Sequence, residues 1–353
     1  MKLERLRTRL DELEVEGLLI TNSYNCQYMT GFTGSSGVAI ITKNHAAFIT
    51  DFRYMEQATE QVKGYEIIEH KQSLIKEVAK FIGKTGIKKL GFEQDSLNYA
   101  TYSAYKEEME DIQFAPVSKA VEKLRLIKSE AEIKILKEAV QIADDAFDHI
   151  LSYIKPGVKE TDVSNELEFF MRKNGAVSSS FDKIVASGHR SALPHGVASD
   201  KTIQSGEFVT LDFGAYYKGY CSDITRTVAV GEPNEKLREI YDVVLNAQLK
   251  GMQEIKPGLT GKQADAITRD YITEMGYGDY FGHSTGHGLG MEVHEGPGLS
   301  SRSDEELVPG MVVTVEPGIY IPGIGGVRIE DDTVITESGN ESLSHSPKEL
   351  IIL

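Results

Sequence analysis

The chain has 353 residues, 40% of them apolar and 26% charged, enough for two domains that each bury a core. Its net charge of −16 argues against a nucleic-acid ligand, because neutralising phosphates takes clustered lysine and arginine. No basic amphipathic stretch and no run of about 18 apolar residues occurs, so no membrane association is expected.

The opening "MKLERLRTRLDELEVEG" has the pattern of a charged amphipathic helix and lacks the apolar centre of a signal peptide, so a cytoplasmic location is expected. Cys26 and Cys221 are too far apart in sequence to suggest a disulfide framework or a zinc knuckle. After the first helix comes the apolar run "GLLI", then "GVAIITKNHAAFIT", two apolar segments around Lys43-Asn44 that predict a hairpin. "MEQATEQV" and "SLIKEVAKFIG" predict helices, and "KKLGFE" a buried strand. This is an α/β pattern, and the glycines of "TGFTGSSG" fit neither a phosphate loop nor a dinucleotide fingerprint. A long helix follows, opened by Ser129 and Glu132 in capping-box spacing. The domain boundary is placed just before it, giving 1–122 as a small α/β domain and 123–353 as a second domain, an α+β chain overall.

The second domain carries an internal echo. "IKPG" occurs at 154–157 and again at 255–258, and "SGEFVTLDFG" (205–214) is echoed by "PGMVVTVEPG" (309–318). A repeat of this kind marks a repeated supersecondary unit; with two copies it predicts two similar halves about a pseudo-twofold axis. Asp212 and Glu316 occupy equivalent places in the two copies.

Each copy ends in a hairpin with opposed acids. With Tyr217-Lys218 at the first turn, Asp212 falls opposite Asp223; pairing the second hairpin about residue 323 sets Glu316 opposite Glu330. Like charges directly opposed are destabilising, and apolar flanks suggest burial. Buried carboxylates must be paired or coordinate metal, and only Arg226 and Arg328 lie near. The alternative is a solvated edge whose register has been misjudged. Oxygen-rich ligation with one imidazole would favour a hard ion such as Mn²⁺. "GHSTGHGLGMEVHE" adds His283, His287 and His294, but its glycines make a zinc-binding helix improbable.

Five of these residues, Asp212, Asp223, His287, Glu316 and Glu330, resemble in order and context the metal ligands of the pita-bread metallopeptidases, which include methionine aminopeptidase, aminopeptidase P and prolidase. The resemblance spans essentially the whole chain, through "LDFGAYYKGYCSDITRT", "GHSTGHGLGMEVHE", "VVTVEPGIY" and "GVRIEDD". Residues 1–120 look like the small domain of the prolidase and aminopeptidase P branch. The resemblance implies a pita-bread catalytic domain and two divalent ions, Mn²⁺ first with Co²⁺ or Zn²⁺ as alternatives. It further implies a homodimer and hydrolysis of the bond between an N-terminal residue and proline.

By the same resemblance Asp212 is a bidentate ligand of one metal, Asp223 and Glu330 are shared, and His287 and Glu316 complete one shell. Glu316 is the general base and then the acid, His195 and His294 are catalytic contacts to the substrate carbonyl, His283 lines the substrate pocket, and Arg328 holds ligand carboxylates. The alternatives are an aminopeptidase of other specificity, such as methionine aminopeptidase, and a non-catalytic peptide-binding module. The first fits poorly with the N-terminal domain, and the second with an intact ligand set.

Overall fold

A computed structural model describes residues 2–353. Its contacts divide the chain into two compact units, Met1–Arg125 and Leu126–Leu353. Among the described residues no helix is long and apolar enough to cross a membrane.

The first unit alternates helix and strand. In chain order it runs α1 (Lys2–Arg9), β1 (Gly17–Ile20), α2 (Ser23–Thr30), β2 (Val38–Thr42), β3 (Ala46–Thr50), α3 (Met55–Gln61) and β4 (Glu66–Glu69). It continues through α4 (Leu74–Thr85), β5 (Lys89–Glu93), α5 (Tyr99–Glu108), β6 (Gln113–Val117) and α6 (Glu122–Arg125). Its six strands form one mixed sheet in the order β4-β3-β2-β1-β5-β6. The β2–β3 hairpin turns at Lys43-Asn44 as its sequence predicts, with Ile40 opposite Ala47. One face of the sheet buries Leu19, Ile40, Ile49 and Leu90 against Val78, Phe81 and Ile82 of α4, whose apolar residues recur at helical spacing.

The second unit opens with α7 (Glu130–Leu151), held at its start by the predicted Ser129–Glu132 capping box, and α8 (Glu160–Lys173). Six strands follow: β7 (Ser178–Ser179), β8 (Ile184–Ser187), β9 (Glu207–Phe213), β10 (Ala215–Tyr217), β11 (Tyr220–Cys221) and β12 (Ile224–Val230). The hairpin register differs from the expectation. Tyr217 pairs with Tyr220, so the turn is Lys218-Gly219 and Asp212 faces Thr225; Asp223 is its diagonal neighbour, two residues away. The cause is local. Both turn residues have positive φ, +47° at Lys218 and +86° at Gly219, the two-residue turn that matches strand twist, and glycine must occupy its second place.

The second half comprises α9 (Glu235–Glu254) and α10 (Gly261–Glu274), then β13 (Gly286–Gly288), β14 (Glu295–Leu299), β15 (Val312–Val315), β16 (Gly318–Ile321), β17 (Gly325–Arg328), β18 (Asp331–Ile335) and β19 (Asn340–Ser342). The predicted duplication is visible in backbone bonds. Gly157 N–H donates to Ile203 O and Gly258 N–H to Leu307 O, while Ile203 N–H donates to Val158 O and Leu307 N–H to Leu259 O. The same loop is thus tied down in the same way in each copy. Here the predicted register holds: Val315 faces Asp331 and Gly318 faces Arg328, which sets Glu316 across from Glu330 between the two ladders.

Candidate metal centre

The two hairpins meet at Thr225, the partner of Asp212. Glu330 N–H donates to Thr225 O at 3.1 Å, and the Thr225 hydroxyl donates to Glu330 Oε2 at 2.5 Å. This junction gathers acids from both halves. Asp212, Asp223 and Glu330 are buried, and Glu316, half-buried, is fixed through its N–H to Thr285 O at 2.7 Å. One ligand atom each of Asp223, His287 and Glu330 lies within 4.8 Å of the others. His287 Nε2 is 3.6 Å from Asp223 Oδ2 and 3.5 Å from Glu316 Oε1.

The electrostatics explain what such a cluster could hold. Burial, compounded by the neighbouring carboxylates, pushes Asp223 and Glu330 well above the ordinary range and Glu316 up to about 8. Asp212 Oδ1 and Asp223 Oδ1 are buried without a hydrogen-bond donor. A buried orphan of this kind costs about 1–3 kcal/mol unless something satisfies it. Four acids and two orphaned oxygens, with Arg328 bonded to one of the carboxylates and Arg226 spent on backbone carbonyls and Asp331, fit divalent cations.

His287 is presented in the form a metal requires. It stands between Gly286 and Gly288, where a Cβ would lie 1.9 Å from Thr314 O and 2.0 Å from Gly296 O. Only glycine lets β13 lie this close to its flanking backbone. The His287 Nδ1–H donates to Gly288 O at 3.1 Å, leaving the Nε2 lone pair for ligation. Burial, then the neighbouring His294, brings its pKa down to about 4, so the ring is neutral. His294 is exposed and packs edge-on against His287, with ring centroids 4.4 Å apart.

Arg328 is buried and fully engaged. It donates to Asp212 Oδ2, to Thr225 Oγ1 at 3.1 Å, to the Tyr320 hydroxyl at 2.7 Å and to Pro194 O at 3.2 Å. Tyr320 continues the chain. His283 Nδ1–H donates to Ser284 O at 2.8 Å, so its Nε2 accepts from the Tyr320 hydroxyl, also at 2.8 Å. Both ring nitrogens of His283 are therefore committed within the protein. The resemblance implies a substrate contact; the structure ties this ring to Tyr320 and through it to Arg328, leaving only its surface to the pocket.

All nine candidate residues line one cavity of about 450 Å³: Asp212, Asp223, His287, Glu316 and Glu330 with Arg328, His195, His283 and His294. Its remaining wall is mostly apolar, from Phe181, Ile184, Pro194, Val197 and Val293. A hydrolytic centre with room for a short peptide is what this arrangement offers.

Residues 134–337 match the model of metallopeptidase family M24, and residues 2–127 match the creatinase/prolidase N-terminal domain. The chain belongs to metallopeptidase family M24. Bacillus subtilis (strain 168) peptidase YqhT is 67% identical over the full length of both chains. The solved structure of an Xaa-Pro dipeptidase from Bacillus anthracis superposes with a TM-score of 0.99 at 68% identity, covering 100% of this chain and 99% of that one. The X-Pro aminopeptidase structure from Thermotoga maritima gives 0.93 at 39% identity, with both chains fully covered.

This M24 chain also uses residues that the sequence reading passed over. Tyr320 and Thr225 bind Arg328 and Glu330, and Asp332 accepts the Asp223 N–H at 2.9 Å. A signal for Tyr320 was present: residues 316, 320, 328 and 330 share strand parity, so Tyr320 falls diagonal to Arg328. A second cavity of about 400 Å³ adjoins the M24 site, sharing His283 and Ser284 and lined also by Arg269, Ser300 and Arg302. Neither cysteine contributes chemistry. Both are buried and unpaired, and burial pushes each thiol up to about 12.

Proposed function

We propose that this M24 enzyme hydrolyses the peptide bond between an N-terminal residue and proline. Asp212, Asp223, His287, Glu316 and Glu330 would hold two divalent ions, manganese by preference given the oxygen-rich donor set. The observation carrying this reading is the single cavity in which these five groups adjoin His195, His294 and an apolar wall suited to a proline ring. The names of the Bacillus anthracis and Thermotoga maritima relatives support the substrate class. Methionine aminopeptidase activity and a merely peptide-binding role are not favoured.

When bound, divalent ions supply a water acidic enough to attack near neutral pH and polarise the scissile carbonyl. Glu316 takes the proton of the attacking water and delivers it to the leaving proline nitrogen. His195 and His294 donate hydrogen bonds to the oxygen on which negative charge develops. Arg328 holds Asp212 in place. Arg269 is committed to Asp265, at 2.6 and 2.9 Å. Arg302, exposed in the adjoining cavity, suits the C-terminal carboxylate of a dipeptide, which favours a dipeptidase. A cytoplasmic homodimer belongs to the same reading; two unpaired buried cysteines suit a reducing compartment.

The test is a panel of Ala-Pro, Ala-Pro-Ala and Met-Ala-Ser on manganese-loaded protein. Release of alanine from Ala-Pro, with no methionine from Met-Ala-Ser, is expected. Cleavage of Met-Ala-Ser alone, or of nothing with metal demonstrably bound, overturns the proposal. The ratio of Ala-Pro to Ala-Pro-Ala turnover ranks dipeptidase against aminopeptidase.

A further inference from the structure

His195 lies on the connection of residues 188–199, a short 3-10 helix (Gly188–Ala192) followed by a loop, and it is exposed at the cavity. Loop-borne groups place a reacting atom accurately only if the backbone beneath them is pinned. A single side chain bonds both ends of the segment. Glu160, the first residue of α8, is fully buried, and its carboxylate spans the two ends of the segment. Oε1 accepts the Ser187 N–H and hydroxyl, both at 2.8 Å. Oε2 accepts the Ser199 N–H at 3.0 Å, the Ser199 hydroxyl at 2.7 Å and the Arg190 guanidinium.

Arg190 extends the clamp inward. Its Nη2 donates to Val197 O at 2.8 Å, and Val197 N–H donates to His195 O at 2.9 Å. A hydrogen-bonded path thus runs from a buried carboxylate to the backbone of His195. On the other side of His195, Arg328 holds Pro194 O at 3.2 Å.

The second half of the unit repeats the device with different residues. Asp265 of α10 accepts the Thr285 N–H at 2.9 Å and pairs with Arg269, which donates to Phe281 O at 3.0 Å and His283 O at 2.6 Å. In both halves a buried acid and an arginine grip the segment that carries a cavity histidine.

We infer that Glu160 and Arg190 are positioning residues that set the place of His195 against the scissile carbonyl. This rests on the reading of His195 as a contact to that carbonyl. The test measures kcat and KM for Ala-Pro on the manganese-loaded full chain as wild type, Glu160→Gln, Arg190→Ala, His195→Ala and the corresponding double variants. Each clamp variant is expected to lower kcat about tenfold with KM and metal content little changed, as a small misplacement does. In the His195→Ala background the same substitutions should cost less than about twofold, because the group they position is gone. An undiminished loss in that background overturns the inference while leaving His195 in its role. Wild-type kcat in His195→Ala overturns the role of His195 and the inference with it. Arg190, partly exposed, carries the test alone should Glu160→Gln fail to fold.

Discussion

Glu316 combines an anchored backbone with a carboxyl that burial pushes up to about 8, and its Oε1 lies 3.5 Å from His287 Nε2. Its proposed task is to accept and then return a proton, and bound divalent cations would hold the carboxyl ionised for that task. Glu316→Gln keeps the shape and removes the exchange. Turnover of Ala-Pro is expected to fall by about 10²–10⁴-fold. Initial rates, with metal content measured on the same sample, check this; near-normal activity at full metal occupancy sinks the assignment. His283 carries the contrasting lesson at this scale. The resemblance of "GHSTGH" assigned it to the substrate pocket; in the fold it lines the cavity with Ser284 and Tyr320 occupying both its nitrogens. Which atoms a side chain has free depends on neighbours distant in sequence.

At the scale of elements, turns decided where the sequence reading succeeded. The glycine-rich centre at 322–326 left little freedom for the second hairpin, and the pairing of Glu316 with Glu330 followed from it. In the first hairpin the turn centre depended on whether Lys218 would accept positive φ beside Gly219; it does, and the register moves by two. Asp212 and Asp223 become diagonal neighbours, which still leaves both beside Glu330. Gly219→Ala would place a Cβ at φ +86°. It is expected to destabilise the enzyme by about 1–2 kcal/mol, seen as a lower urea midpoint at unchanged slope. A midpoint equal to wild type would contradict this turn geometry.

For the whole molecule, the acids gathered from two hairpins couple metal, protons and stability. In the metal-free protein Asp223, Glu330 and Glu316 have folded pKa values above those of the unfolded chain. Their contribution is therefore fully present below the ordinary carboxylate range and is lost as pH rises toward about 8, because the native state binds more protons than the unfolded one. Cations displace those protons, so metal affinity climbs over the same interval. The rise in Tm on adding manganese to chelator-stripped protein is expected to be larger at pH 8 than at pH 6. An equal or smaller rise at pH 8 contradicts the proton-holding centre.

The kind of chemistry and the cavity histidines came from the resemblance of the chain's motifs to a known family, whereas sequence alone determined the doubling of the second unit and the recurrence of acids on its two hairpins. Those are matters of spacing and residue type: apolar runs dictate strands, and acids recurring inside apolar flanks cannot stay uncompensated. Tertiary structure decided which contacts those residues make. Thr225 joins the two hairpins, Tyr320 links Arg328 to His283, and Glu160 pins the His195 segment from a helix some thirty residues upstream. Such partners are chosen by packing between elements, and of them only the Tyr320–Arg328 pair has a local signal, in its strand parity.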